Sequence, residues 1–402
     1  MPKKTASVTD RLLPVLNGFN IETPSWGFAD TGTRFGKFYQ AASAIDLNDK
    51  LADAGQVNAL TGCCPTVAVH VLWDFKAGED PKNAVKLAAR HGVKIGSINP
   101  NLFQDQEYKW GSFGNNDAAV RERALQHCYD SVAIGKVVGS DSVSLWFADG
   151  ISYPGQGNIR ERKRYFETCL KALHKKLSPQ QTMLVEYKPF EPAFYATDLA
   201  DWGMAYVHAK KAGPRAKVLV DTGHHYQGQN IEQIVAFLLD EDMLGGFHFN
   251  DRRYADDDLT LGSIDPYQVF RIFHEIHSFA ADRGGAPEIA YMIDQSHNEK
   301  PKIEATLQTV IMAQELYAKA ALVDQAALRK AQAENNVVDA ELELKKAFFT
   351  DVAPAIKAWR KTRGLPVDPL AEHRRSGYEK KAAAERSRRR AELGITQGGG
   401  YA

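Results

Sequence analysis

From about residue 20 to residue 300 the chain alternates short apolar, β-branched runs with longer amphipathic stretches. The apolar runs fall at 21–29 (IETPSWGFA), 66–74 (TVAVHVLWD), 93–103 (VKIGSINPNLF), 142–150 (SVSLWFADG), 182–190 (TMLVEYKPF), 216–225 (AKVLVDTGHH), 245–251 (GGFHFND) and 288–297 (EIAYMIDQSH). Each reads as a buried strand, continuous rather than alternating, as strands covered on both faces do. Between them 81–92, 118–139, 162–177, 197–213 and 230–243 carry helical periodicity. Asp80 is placed to cap the first of these, Pro81 opens it, and glycine closes several. Eight strands with helices between them predict an α/β fold, a parallel (β/α)8 TIM barrel over residues 20–312. A short, interrupted helical arm at 7–18, within a leading segment 1–19, precedes it. After residue 300 the strand signal stops. Residues 301–349 are rich in Ala, Glu, Gln, Leu and Lys, and 347–364 reads as a helix pair, so 313–402 is expected to be a C-terminal helical extension.

Charge narrows the functional classes. Lys+Arg and Asp+Glu balance at 50 each, so no global positive field favours nucleic acid. The basic stretch 371–394 interleaves Glu372, Glu379, Glu385 and Glu392 with its cations. That pattern predicts a solvated helix packed on a neighbouring subunit rather than a nucleic-acid arm. The N-terminus lacks an apolar signal core and no run approaches membrane-span length, so a soluble, cytoplasmic protein is expected. Cys63, Cys64, Cys128 and Cys169 lack metal-ligand spacing and read as reduced core thiols.

The candidate chemistry lies where the strands end. Four consecutive runs stop at Glu186, Asp221, His248 and Asp294. A lone strand-end aspartate is usually a helix cap and a lone histidine a core residue. Four together at the active end of a barrel would repel unless a cation held them, and the histidine favours Mn²⁺, Co²⁺ or Zn²⁺ over Ca²⁺. A second set follows: His224, three residues beyond Asp221, with Asp256 and Asp258, which in an extended loop would point the same way. Three ligands leave positions open for substrate, as a catalytic metal requires.

The stretches VEYKPFEP, VLVDTGHH, GGFHFNDRRYADDDLTLGSIDPYQ and DQSHN resemble the broad-specificity bacterial L-rhamnose isomerases, within the xylose-isomerase-like barrels, over roughly residues 20–310. The resemblance implies a structural metal on Glu186, Asp221, His248 and Asp294, and a catalytic one on His224, Asp256 and Asp258. It implies a substrate-side role for Lys188, a ring-opening role for His70 with Trp73 alongside, and a pocket role for Trp146. Phe35 matches a phenylalanine the family sends into a neighbouring subunit's pocket, so a homotetramer is expected. The activity implied is interconversion of L-rhamnose and L-rhamnulose, and of related pairs such as D-allose and D-psicose, with two divalent ions per chain, Mn²⁺ foremost. Asp256 and Asp258 would relay the substrate's proton, and Glu186 and His224 would also touch the sugar. A single-metal ketose 3-epimerase on the same barrel is the alternative. No nucleic-acid or membrane partner is expected.

Overall fold

A computed structural model describes residues 7–33, 36–191 and 195–395. Eight parallel strands form one sheet in sequence order: β1 (Thr23–Pro24), β2 (Thr66–His70), β3 (Lys94–Asn99), β4 (Ser142–Leu145), β5 (Thr182–Glu186), β6 (Ala216–Asp221), β7 (Leu244–Phe249) and β8 (Ala290–Ile293). The barrel closes between β8 and Glu22, which donates its N–H to Tyr291 O (2.8 Å) and accepts from Ile293 N–H (2.9 Å). It is the (β/α)8 TIM barrel that the sequence predicts.

The strands are shorter than the apolar runs, for local reasons. Pro24 has no N–H for a ladder, and the chain turns at once into a 3₁₀ segment, Ser25–Phe28. After β2 the carboxylate of Asp74 accepts the His70 N–H (2.9 Å), and Val71–Asp74 forms one helical turn where 66–74 reads as strand.

The covering helices are α1 (Val8–Gly18), α2 (Leu47–Thr61), α3 (Lys82–Arg90), α4 (Ala118–Val138), α5 (Ile159–His174), α6 (Trp202–Ala212), α7 (Ile231–Asp240), α8 (Pro266–Arg283) and α9 (Lys302–Ala320). The arm α1 is a single helix running through Pro14 rather than an interrupted one, and Ser7 and Asp10 cap it reciprocally. Asp80 accepts the Lys82 N–H (3.0 Å) at the start of α3, with Pro81 in helical conformation. Among the described residues no helix is long and apolar enough to cross a membrane. All four cysteines are buried and free.

Strand alternation sets the site's level. Inside the barrel Leu184, Leu219 and Met292 form a small apolar cluster, buried to 1% exposure or less. Two residues on, the same faces present Glu186, Asp221 and Asp294. The polar layer therefore rests on an apolar floor. Level with Met292 of that floor, Glu22 puts a carboxylate into the barrel and accepts the Ser97 N–H (2.9 Å). A Cβ on Gly96 would lie 1.6 Å from its Oε2, so only glycine leaves that space. Burial pushes the Glu22 carboxyl up to about 7.

Helices α10 (Gln325–Ala333), α11 (Val337–Phe348), α12 (Ala353–Thr362), α13 (Pro369–Ser376) and α14 (Tyr378–Glu392) make up the extension. The basic tail is expected as a solvated helix; instead α14 folds back on its own barrel and buries Arg386 there. Arg386 reaches both Asp53 oxygens (2.8 Å each), Arg389 reaches Asp49 (2.7 Å), and Arg390 pairs with Asp30 (3.1 Å). Arg386 and Arg389 are committed to the buried carboxylates of Asp53 and Asp49 on α2, and Arg390 to the half-buried Asp30 just after the 3₁₀ segment. That also explains why α2 does not stand out by periodicity, since Asp49, Lys50 and Asp53 on it are all buried. Arg386 is 4% exposed, so Arg386→Ala would leave Asp53 buried without its counter-charge, with only the Tyr378 hydroxyl donating to it. A loss of about 3–5 kcal/mol is expected in chemical denaturation; a loss under about 1 kcal/mol, as for exposed pairs, would show the tail to be dispensable.

Candidate metal centre

The barrel brings Glu186, Asp221, His248 and Asp294 together: one ligand atom from each lies within 4.8 Å of all the others. His248 Nδ1 stands 3.2 Å from Glu186 Oε1, 3.7 Å from Asp294 Oδ2 and 3.9 Å from Asp221 Oδ2. The two aspartates are oriented from behind. Asn250 Nδ2 donates to Asp221 (3.0 and 3.2 Å) and to Asp294 O (3.0 Å), and Gly223 N–H donates to Asp221 Oδ1 (2.7 Å). Trp26 Nε1 donates to Asp294 Oδ1 (2.8 Å).

Of the second set, His224 lies between the two groups. Its Nδ1 meets Tyr187 O (3.1 Å) and Glu186 Oε1 (3.2 Å), while its Nε2 faces Asp256 Oδ1 (3.5 Å) and Asp221 Oδ2 (3.8 Å). The extended loop expected around Asp256 and Asp258 is not found: Asp258 has φ 48°, and the backbone bends. The intervening Asp257 causes this by accepting the N–H groups of Tyr254 (2.7 Å) and Ala255 (3.4 Å), which curls the loop about its own carboxylate. Asp256 and Asp258 nevertheless line one cavity with the first cluster. They do not form a second equally tight group among the described residues.

That cavity, about 190 Å³, is walled by Trp26, His70, Trp73, Phe103 and Trp146, with Lys188, His224 and the acids on the other side. Lys188 Nζ binds Asp256 Oδ2 (2.5 Å) and stands 5.1 Å from the centroid of the Trp146 ring. The His70 ring packs against Trp73 (4.1 Å) and Trp26 (4.8 Å). Its backbone is fixed by Asp74, which also takes Lys50 Nζ (2.6 Å) and Ser25 Oγ (2.6 Å). Burial holds His70 down to about 3, so the imidazole is neutral near pH 7. Phe35 lies outside the described residues.

The electrostatics fit a cation. Five carboxylates (Glu186, Asp221, Asp256, Asp258, Asp294) share the site with His224, His248 and Lys188. Burial, then Glu186 and the aspartates, push Asp221 up to about 7 against the pull of His224. Burial and then Asp256, Asp294 and Asp221 hold Asp258 well above the usual carboxylate range. Burial opposes charge on His248, yet Glu186, Asp294 and Asp221 outweigh it and raise it to about 9. In the protein alone the histidines thus serve as counter-cations for acids that repel one another. The oxygen-rich set with one or two imidazoles suits a divalent ion, and the cluster could hold one.

Trp26, Asn250, Asp74 and Phe103 do not stand out as site residues in the sequence. Asn250 carried one signal, lying two residues past His248; the others meet the site only through the fold. Trp26→Phe removes the indole donor to Asp294. It is expected to lower divalent-ion affinity roughly 10- to 100-fold, as loss of such supporting hydrogen bonds does. Competition against a chelating dye measures this, and unchanged affinity would show that the hydrogen bond is idle.

Residues 66–279 match the family model described as xylose isomerase-like TIM barrel. A probable sugar isomerase of Mesorhizobium japonicum is 40% identical over 94% of this chain and 88% of its own length. A second, from Rhizobium meliloti, is 39% identical over 92% of this chain and 86% of its own. Among solved structures, a xylose isomerase domain protein of Alicyclobacillus acidocaldarius superposes with a TM-score of 0.51 at 16% identity. It covers 75% of this chain and 99% of that one, a likeness of fold alone. With a family model spanning more than half of its length and relatives near 40% identity across nearly all of it, the chain belongs to the xylose isomerase-like TIM barrel family.

Proposed function

We propose that the protein is a metal-dependent aldose–ketose isomerase acting on free monosaccharides, with L-rhamnose and L-rhamnulose as the foremost pair and D-allose and D-psicose among related ones. The observation that carries this reading is the four-donor cluster opening, beside His224, Asp256 and Lys188, into a cavity walled by aromatic rings. Relatives named as probable sugar isomerases support it.

Glu186, Asp221, His248 and Asp294 would hold one divalent ion, and His224, Asp256 and Asp258 a second, with Mn²⁺ preferred over Co²⁺ or Zn²⁺. When bound, such ions supply Lewis-acid polarisation of neighbouring sugar oxygens. The chain's own groups do the rest. Isomerisation moves the C2 hydrogen to C1 while a proton leaves O2 and another reaches O1. Lys188, anchored on Asp256, presents an ammonium to the oxygen that gains negative charge. Asp256 and Asp258, which both line the cavity, would pass on the O2 proton. His70, neutral near pH 7, has a buried Nδ1 with no hydrogen-bond partner among the described residues, so it can exchange a proton with the ring oxygen as the sugar opens. Trp26, Trp73, Phe103 and Trp146 exclude water and pack the sugar's apolar face. A homotetramer remains part of this proposal.

Incubating the metal-reconstituted protein with a panel of aldoses and measuring ketose formation tests it. The L-rhamnose-type aldoses should react fastest, and absence of ketose from every aldose would overturn the proposal. One observation favours a second reading: only one tight donor cluster forms among the described residues. A single-metal ketose 3-epimerase would suit that geometry, and would turn a ketose into its C3 epimer without producing aldose.

A further inference from the structure

The wall of the cavity formed by β4 carries polar atoms that the fold does not satisfy. Ser144 is 1% exposed and lines the cavity, and its Oγ has no hydrogen-bond partner among the described residues. Trp146, two residues on and so on the same side of the chain, also lines the cavity, and its buried Nε1 is likewise without a partner. In register Ser144 lies opposite Leu184, level with the apolar floor rather than with the acids above it. A serine there carries the full desolvation cost of its hydroxyl, which alanine would avoid. Ser97 offers an internal comparison. It is as buried, and its Oγ is as unpartnered, but it does not line the cavity.

We propose that Ser144 is a specificity-determining residue: its hydroxyl pairs with one particular hydroxyl of an open-chain polyhydroxylated substrate, away from the carbons held at the Glu186/His248 cluster. The chemistry fits such a ligand. Ser144 Oγ can donate or accept, whereas Trp146 Nε1 can only donate, so the wall suits a chain bearing hydroxyls at more than one carbon. A site built to bond a hydroxyl rejects the analogue that lacks it, because the protein group is then left buried and unpaired. This deepens the isomerase reading by naming the wall that selects among aldoses, and it rests on that reading for the identity of the ligand.

The experiment measures, by calorimetry on the metal-loaded protein, binding of an acyclic polyol and of its single-deoxy analogues to wild type, Ser144→Ala, Ser144→Cys and Ser97→Ala. In wild type, loss of one hydroxyl should weaken binding roughly 10-fold or more. In Ser144→Ala that penalty should disappear while the penalties at other positions stay, and the melting temperature should not fall. Ser144→Cys, a weak donor of similar size, should behave likewise, and Ser97→Ala should keep the wild-type pattern. Turnover of the corresponding aldoses should show the same single-position loss. A penalty that persists in both Ser144 variants, a uniform loss at all positions, or no polyol binding at all would overturn the proposal. A wild type that binds the polyol yet forms no ketose contradicts the isomerase reading instead, and leaves the role of Ser144 readable from binding alone.

Discussion

His224→Asn is expected to fold, to keep one divalent ion per chain, and to lose turnover by roughly a hundred- to thousand-fold. That range converts the several kcal/mol of transition-state stabilisation a correctly held catalytic ion supplies. The geometry explains why the loss should be selective. His224 Nδ1 is the anchoring side, on Tyr187 O and Glu186, and asparagine's amide nitrogen can still reach that carbonyl. Its Nε2 is the side facing Asp256, and asparagine leaves nothing there. The four donors of the first cluster remain. Asp294→Asn should behave oppositely, because it removes a charge from the cluster itself and keeps only a weak acceptor for Trp26. Its expected signature is poorer metal retention and a lower melting temperature of the loaded protein. Metal analysis, melting and turnover on both variants decide the matter: if His224→Asn shed both ions or kept wild-type turnover, the division of roles would be wrong.

Removing metal altogether is expected to have the second large effect. A strong chelator should abolish isomerisation, with Mn²⁺ or Co²⁺ restoring it, and should destabilise the fold by about 2.7 kcal/mol for each ion that had been held at a hundred times its dissociation constant. Stability falls because five carboxylates then share the site with only Lys188 and whatever charge His224 and His248 carry. Unchanged melting on stripping would mean that the acids are not waiting for a cation.

The barrel and the first cluster were legible in the sequence because both obey short-range rules. Period-two alternation puts Leu184 and Glu186, or Leu219 and Asp221, on one face, and parallel strands deliver their last residues to one end. What stayed hidden depends on contacts between distant residues. Trp26 reaches Asp294 across 268 positions, and Arg386 reaches Asp53 across 333. No window of sequence contains either pair. The tail's interleaved charge predicts a solvated helix, and its docking on the barrel is hidden, since Asp46, Asp49 and Asp53 look like the solvent face of α2 until arginines cover them. The Asp256–Asp258 loop was misjudged in shape for a local reason, the turn organised by Asp257.

The most direct test of the account is a titration of stripped protein with Mn²⁺, following bound ions per chain and ketose formation from an aldose together. Turnover should stay near zero while the first equivalent binds and rise with the second, to saturation at two ions per chain. Full turnover at one ion, turnover in excess chelator, or no ketose at any loading would contradict it.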